Sequence, residues 1–156
     1  MAVFPGSFDP LTLGHYDIVI RATALFDKVY IALGENTTKP RMFPIDLSLE
    51  MIKEVFAGNS KIEVIHYKIL TVELCKDLGV SFVVRGIRNI SDFEYERSMA
   101  EMNHILSPKL ETVFLDSRPE YLPISSTIIR ELLKNNGDVS AFVPAAVRKF
   151  VLKKRE

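Results

Sequence analysis

The chain has 156 residues, 47 % hydrophobic and 26 % charged, which is ordinary globular composition with material for one sizeable core. Lysine plus arginine and aspartate plus glutamate each number 20, so the formal net charge is zero, which argues against a polyanion binder that works through bulk charge. The single cysteine, Cys75, excludes an intrachain disulfide, and no apolar stretch approaches the roughly 20 residues of a membrane helix; with no signal peptide readable, a cytoplasmic address is expected.

Residues 2–4 read as a strand that stops at Pro5-Gly6. Helical spacing follows over 14–26, with Ile18, Val19, Ala22, Leu25 and Phe26 as its apolar positions. Residues 28–33 form a near-continuous apolar strand of the kind buried on both faces. A helix is predicted over 48–56, a strand over 61–66, and a helix over 72–78 closed by Gly79. A strand over 80–84, a helix over 92–106 stopped by Pro108, and a strand over 111–115 come next. Helices over 126–133 and 144–154 end the chain. Five strands alternating with helices predict one domain over 1–156, a doubly wound, Rossmann-like α/β fold whose parallel sheet has helices on both faces. Such folds bind ligands beyond the carboxyl ends of their strands, where strand order reverses.

The residues that follow the strands are therefore the candidates. After the first comes the segment from Pro5 to His15, in which Gly6 permits close backbone approach, Ser7 offers a hydroxyl and an N–H, and His15 falls in the first turn of a helix. Helix N-termini accept phosphate, so His15 is either a donor to a phosphoryl oxygen or a helix-cap residue. After the second strand, Lys39 and Arg41 are either solvated charge or ligand contacts. After the third, Thr71 reads as an N-cap whose loop can also touch a substrate. After the fourth, Arg85-Gly-Ile-Arg88 places two arginines on the ligand edge, where guanidinium groups bind phosphate bidentately. Ser91 and Glu94 match a capping box, while Glu96 either faces the cleft, bonding a ribose or balancing the arginines, or is a surface acid. After the fifth, Ser125 or Ser126 caps a helix, and Arg130 opposes its dipole at about 0.3–1 kcal/mol unless an anion sits there too. The chemistry indicated is electrostatic: hold phosphates, align a nucleophile and stabilise charge on a phosphoryl group. Cys75 is expected in the core, and His66 and His104 give no metal-ligand spacing.

Thr12-Leu-Gly-His15 resembles the T/H-x-G-H signature of the nucleotidyltransferase superfamily, and Ile124-Ser-Ser-Thr-Ile-Ile-Arg130 its I-S-S-S/T-x-x-R signature. Pro5-Gly-Ser-Phe-Asp-Pro10, Arg85-Gly-Ile-Arg88 and Asp92-Phe-Glu-Tyr-Glu96 narrow the resemblance to the bacterial phosphopantetheine adenylyltransferases of coenzyme A synthesis, over residues 2–144. The resemblance implies transfer of AMP from ATP to 4′-phosphopantetheine, giving dephospho-coenzyme A and pyrophosphate. It implies catalytic roles for His15, as transition-state stabiliser, and for Lys39 and Arg88. ATP contacts are implied for Ser7, Phe8, His15, Gly86, Ile87, Arg88, Glu96, Tyr121, Leu122, Pro123, Ile124, Ser125, Ser126 and Thr127. Phosphopantetheine contacts are implied for Ser7, Lys39, Thr71 and Arg85. Mg²⁺ is implied with the triphosphate, held mainly by phosphate oxygens and water rather than by a protein ligand set. A homohexamer is implied, with no nucleic-acid or membrane partner. Thr71 stands where the family often has Leu or Met, and Asn89 where Ala is common; Arg41-Met-Phe-Pro-Ile-Asp46 also departs from the family pattern.

Overall fold

A computed structural model of the chain describes residues 1–35 and 40–153. Strands β1 (Ala2–Gly6), β2 (Val29–Gly34), β3 (Ile62–Tyr67), β4 (Phe82–Ile87) and β5 (Glu111–Asp116) alternate with helices α1 (Leu13–Leu25), α2 (Ile45–Val55), α3 (Thr71–Asp77) and α4 (Ile90–Leu106). A 3₁₀ turn at Pro119–Tyr121 and helices α5 (Ser126–Lys134) and α6 (Ala145–Lys153) follow. Every ladder is parallel, and the order is β3-β2-β1-β4-β5, the doubly wound sheet that the alternation predicts. Among the described residues no helix is long and apolar enough to cross a membrane.

Strand side chains alternate between two layers. Ala2 and Phe4 of β1 and Val29, Ile31 and Leu33 of β2 pack with α1, α2, α5 and α6. Val3 and Ala32 point the other way, against Leu74 and Cys75 of α3. Burial on both faces is why these strands read as nearly unbroken apolar runs. Each fully buried Val, Ile or Leu side chain there contributes about 1.5–3 kcal/mol. Cys75 is core, as expected, and burial pushes its thiol up to about 11.

Several boundaries differ from expectation. β4 begins at Phe82, not Val80, and runs through Arg85 and Gly86 to Ile87. Those polar and small residues are strand because they pair with Phe114, Leu115 and Asp116 of β5. α4 begins at Ile90 rather than Asp92: Asn89 is its N-cap, accepting the Asp92 N–H at 2.9 Å, so the Ser91–Glu94 capping box does not form. The N-cap of α3 is Leu70, whose N–H is taken by Glu73 at 3.2 Å. Thr71 therefore lies inside the helix, and its hydroxyl bonds Tyr67 Oη at 3.1 Å. α2 starts at Ile45, three residues early: the Pro44 carbonyl accepts the Ser48 N–H at 3.0 Å, and Asp46 in the first turn favours the positive end of the dipole.

β1 also extends past Phe4 to Gly6 along β2, with Ala2↔Val29 to Gly6↔Leu33 in register. Its other ladder is short, since only Val3↔Val83 pairs β1 with β4. The two central strands part beyond that point, where strand order reverses. Pro5, which has no N–H to give, sits at the parting, and its carbonyl accepts Arg85 Nη1 at 2.6 Å.

Candidate active site

A cleft opens where β1 and β4 part, and it has two lobes. One, about 450 Å³, is lined by Phe8, His15, Arg88, Tyr121 and the start of α5. The other, about 400 Å³, is lined by Tyr67, Thr71, Met99 and Asn103. Pro5, Gly6, Ser7, Arg85 and Glu96 belong to both. Each lobe has the size of a small-molecule site.

The loop from Gly6 to Thr12 is fixed from several sides. Phe8 has a φ of 44°, rare for a bulky side chain, and is buried. Its ring lies so close to Gly6 that a Cβ there would come within 2.9 Å of Phe8 Cζ, so this position requires glycine. The same ring meets His15 edge-on, 5.1 Å between centroids. The buried Asp9 carboxylate accepts the N–H groups of Met42 and Phe43 at 2.8 and 2.9 Å, tying the loop to the start of α2.

His15 is a helix-cap residue, one of its two sequence readings. Thr12 is the N-cap of α1, and its hydroxyl accepts the His15 N–H at 3.4 Å. In return His15 Nδ1 accepts the Thr12 N–H at 3.1 Å. An Nδ1 that accepts leaves the neutral ring protonated at Nε2, so the atom free for a ligand is a donor. Burial, with the positive charges of Arg88 and Arg85 behind it, lowers the His15 pKa from 6.5 to about 4. The ring is thus a neutral N–H donor at physiological pH, oriented by its own helix cap.

Four guanidinium groups line the larger lobe: Arg41, Arg85, Arg88 and Arg130. Arg85 Nε donates to Glu96 Oε2 at 2.6 Å and Nη2 to Oε1, a bidentate pair between β4 and α4. Arg88 pairs bidentately with Asp92, one helical turn into α4, at 2.8 and 3.2 Å. Glu96 therefore balances an arginine, one of the alternatives that the sequence leaves open. Ser125 caps α5 by accepting the Ile128 N–H at 3.2 Å, and Ser126 Oγ donates to Pro10 O at 2.9 Å. Arg130 reaches back along α5 to donate to Asp9 O at 2.9 Å and Thr127 Oγ1 at 3.0 Å.

Most of the sequence-predicted positions converge here. Ser7, Phe8, His15, Gly86, Arg88, Glu96, Tyr121 and Ile124 to Thr127 line the larger lobe. Thr71 lines the smaller one, and Ser7 and Arg85 line both. Ile87, Leu122 and Pro123 line neither. Ile87 is buried at the end of β4, where its carbonyl takes the Ser117 N–H at 2.8 Å, and Leu122 is exposed beside the 3₁₀ turn. Lys39 lies outside the described residues. Sequence reasoning missed Asp9 as the anchor of the loop and left Arg41 open. The bonds from Asp9 to Met42 and from Arg41 to Ser7 span 33 and 34 residues, and nothing local signals them.

Residues 3–132 match the cytidylyltransferase-like family. A phosphopantetheine adenylyltransferase of Flavobacterium psychrophilum is 49 % identical over 147 residues, covering 94 % of this chain and 97 % of that protein. One of Cytophaga hutchinsonii is 49 % identical over 144 residues, with 92 % and 96 % covered. One of Limosilactobacillus reuteri is 44 % identical over 155 residues, with 99 % and 89 % covered. The crystal structure of a candidate nicotinate-nucleotide adenylyltransferase from Vibrio parahaemolyticus superposes with a TM-score of 0.69 over 97 % of each chain at 19 % identity, and so shares the fold. The motifs that build the arginine-lined cleft and these relatives agree: the chain belongs to the phosphopantetheine adenylyltransferases of the cytidylyltransferase-like family.

Proposed function

We infer that this protein transfers the adenylyl group of ATP to 4′-phosphopantetheine in coenzyme A biosynthesis. A phosphate oxygen of the acceptor forms a bond to the α-phosphorus of ATP. The bond from that phosphorus to the β-phosphoryl oxygen breaks, and pyrophosphate leaves with the electron pair. No enzyme nucleophile and no net proton transfer are required. The observation that carries this reading is the neutral His15, its Nε2–H left for the larger lobe, beside a smaller lobe that shares Ser7 and Arg85 with it.

In this reading the larger lobe takes the nucleotide, with its phosphates near the α5 start and the arginines, and His15 donates to the α-phosphoryl oxygen as charge grows there. The smaller lobe takes the acceptor, whose phosphate meets Arg85 at the junction, while Thr71 and Tyr67 border the pantetheine arm. Lys39 serves the acceptor phosphate and the transition state. The nucleotide is taken as MgATP, with magnesium held by phosphate oxygens and water rather than by a protein ligand set. A cytoplasmic address completes this reading.

The test is pyrophosphate release from ATP with each acceptor in turn. Release with 4′-phosphopantetheine is expected. Release only with a pyridine mononucleotide, or ATP binding without turnover of any acceptor, contradicts the assignment.

The reading includes a homohexamer. Across its 17 residues α4 buries none, and it exposes Tyr95, Met99, Met102 and Leu106 at helical spacing, along with Ile105. An apolar face of that kind marks a protein–protein contact. The wild type should sediment as six chains of 17.7 kDa. Met102→Glu should reduce that mass, and a monomeric wild type contradicts the assembly.

A further inference from the structure

The four guanidinium groups of the nucleotide lobe differ in how they are neutralised. Arg85 and Arg88 each sit in a bidentate carboxylate pair. Arg41 and Arg130 have no ion pair among the described residues and are held by neutral acceptors. Arg41 Nη2 donates to Ser7 O at 2.8 Å and to Ser48 Oγ at 3.0 Å, and Nε donates to Phe43 O at 3.2 Å. Arg130 donates to Asp9 O and Thr127 Oγ1. A carbonyl or hydroxyl orients a guanidinium without cancelling its charge, whereas a carboxylate cancels most of it. Two other acids are near: the Asp9 carboxylate, held by the Met42 and Phe43 amides, keeps its charge, and Glu35, paired with Lys68, also feels the charge of Arg41.

The two arginines without a carboxylate pair among the described residues are those that bracket residues 7–9, one from the segment before α2 and one from α5, and they outnumber the one carboxylate, Asp9, that the lobe leaves unpaired with a cation. Arg41 is also preorganised. Ser48, one of its acceptors, is fully buried, and three bonds fix the plane of the guanidinium, leaving Nη1 with no hydrogen-bond partner among the described residues. A fixed cation with an open amino group, on the wall of a phosphate-binding lobe, matches a phosphate oxygen.

We propose that Arg41 contacts the β- and γ-phosphates of the nucleotide, and the pyrophosphate product, as a second cation beside Arg130. This rests on the assignment of the larger lobe to ATP and leaves the acceptor aside. Arg41 is then more than a staple for the Ser7 loop, because it recognises the part of ATP that AMP lacks.

Equilibrium binding of ATP and of AMP to the full chain, without acceptor, tests this. Arg41→Gln should weaken ATP by about tenfold or more, the loss expected for one charge-assisted phosphate contact, and leave AMP within about twofold. A residue that only shaped the loop would weaken both together, and equal weakening, or no change in either, overturns the proposal. A second measurement needs no variant. Phenylglyoxal modifies exposed arginines, and peptide mapping of the wild type should show Arg41 protected by pyrophosphate and by ATP, with AMP far less effective. Equal protection by AMP and pyrophosphate overturns the proposal even if Arg41→Gln fails to fold. Failure of the acceptor assignment is seen separately, in the pyrophosphate-release assay, since neither measurement here uses an acceptor.

Discussion

His15→Ala should lower kcat by about 100-fold or more while leaving ATP affinity nearly intact, the signature of a donor whose bond strengthens in the transition state. The structure makes this expectation stricter. His15 also closes the cap of α1, so the substitution leaves the Thr12 N–H without its partner at a cost of about 1 kcal/mol. Thermal melting should therefore fall by only a few degrees, and a collapse in stability large enough to explain the lost rate contradicts the assigned role. So does a near-normal kcat. The pH dependence adds an independent check. With its pKa lowered to about 4, His15 of the free enzyme stays a neutral donor throughout the range in which an ordinary imidazole titrates, so the wild-type kcat/KM should show no step near pH 6.5 that His15→Ala removes. For stability the sign follows from linkage. The unfolded chain binds a proton at His15 below about pH 6.5, and the folded chain refuses it until about pH 4. The contribution is complete above pH 6.5 and is lost as pH falls towards 4, up to ~3 kcal/mol for a shift of this size. His15→Ala should flatten that part of the stability–pH curve.

The architecture was legible wherever the signal was local and repeated. The runs at β2, β3 and β5 lie within one residue of their predicted bounds: β2, buried on both faces, is apolar at nearly every step, and the half-buried edge strands β3 and β5 are still rich in β-branched and aromatic residues. β4 was less legible, since its last three residues, Arg85-Gly-Ile87, are strand only through pairing with β5, and composition alone does not report a partner strand. The helix caps show the same limit. Asn89 and Ser91 are both competent N-caps by residue type, and Asn89 is the one that caps α4. For the site, sequence order located the strand ends and motif resemblance supplied the roles. It could not supply the charge balance of the cleft, which depends on contacts such as Arg85 with Glu96, 11 residues apart on different elements, and Arg41 with Ser7, 34 apart. That balance separates the arginines held in carboxylate pairs from the two held, among the described residues, by carbonyls and hydroxyls.

Arg85→Ala should raise the KM for 4′-phosphopantetheine by about 10- to 100-fold, the loss of one or two charge-assisted contacts to its phosphate, with a smaller effect on the KM for ATP. Arg85 stands at the junction of the two lobes, held on one side by Pro5 O and on the other by Glu96, so its guanidinium is both a ligand group and the partner of a largely buried acid. Removing it leaves the Glu96 carboxylate without its cation, which costs about 2–3 kcal/mol and confuses a simple reading of the single variant. The double variant Arg85→Ala/Glu96→Gln separates the two effects. It replaces the stranded carboxylate with a neutral amide, so melting temperature should recover most of the loss while the acceptor KM stays high. Recovery of both would mean that Arg85 acts only by holding α4 against the sheet. An effect confined to ATP would instead move Arg85 from the acceptor's phosphate to the nucleotide, and with it the boundary between the two lobes, since Ser7 and Glu96 line the same junction.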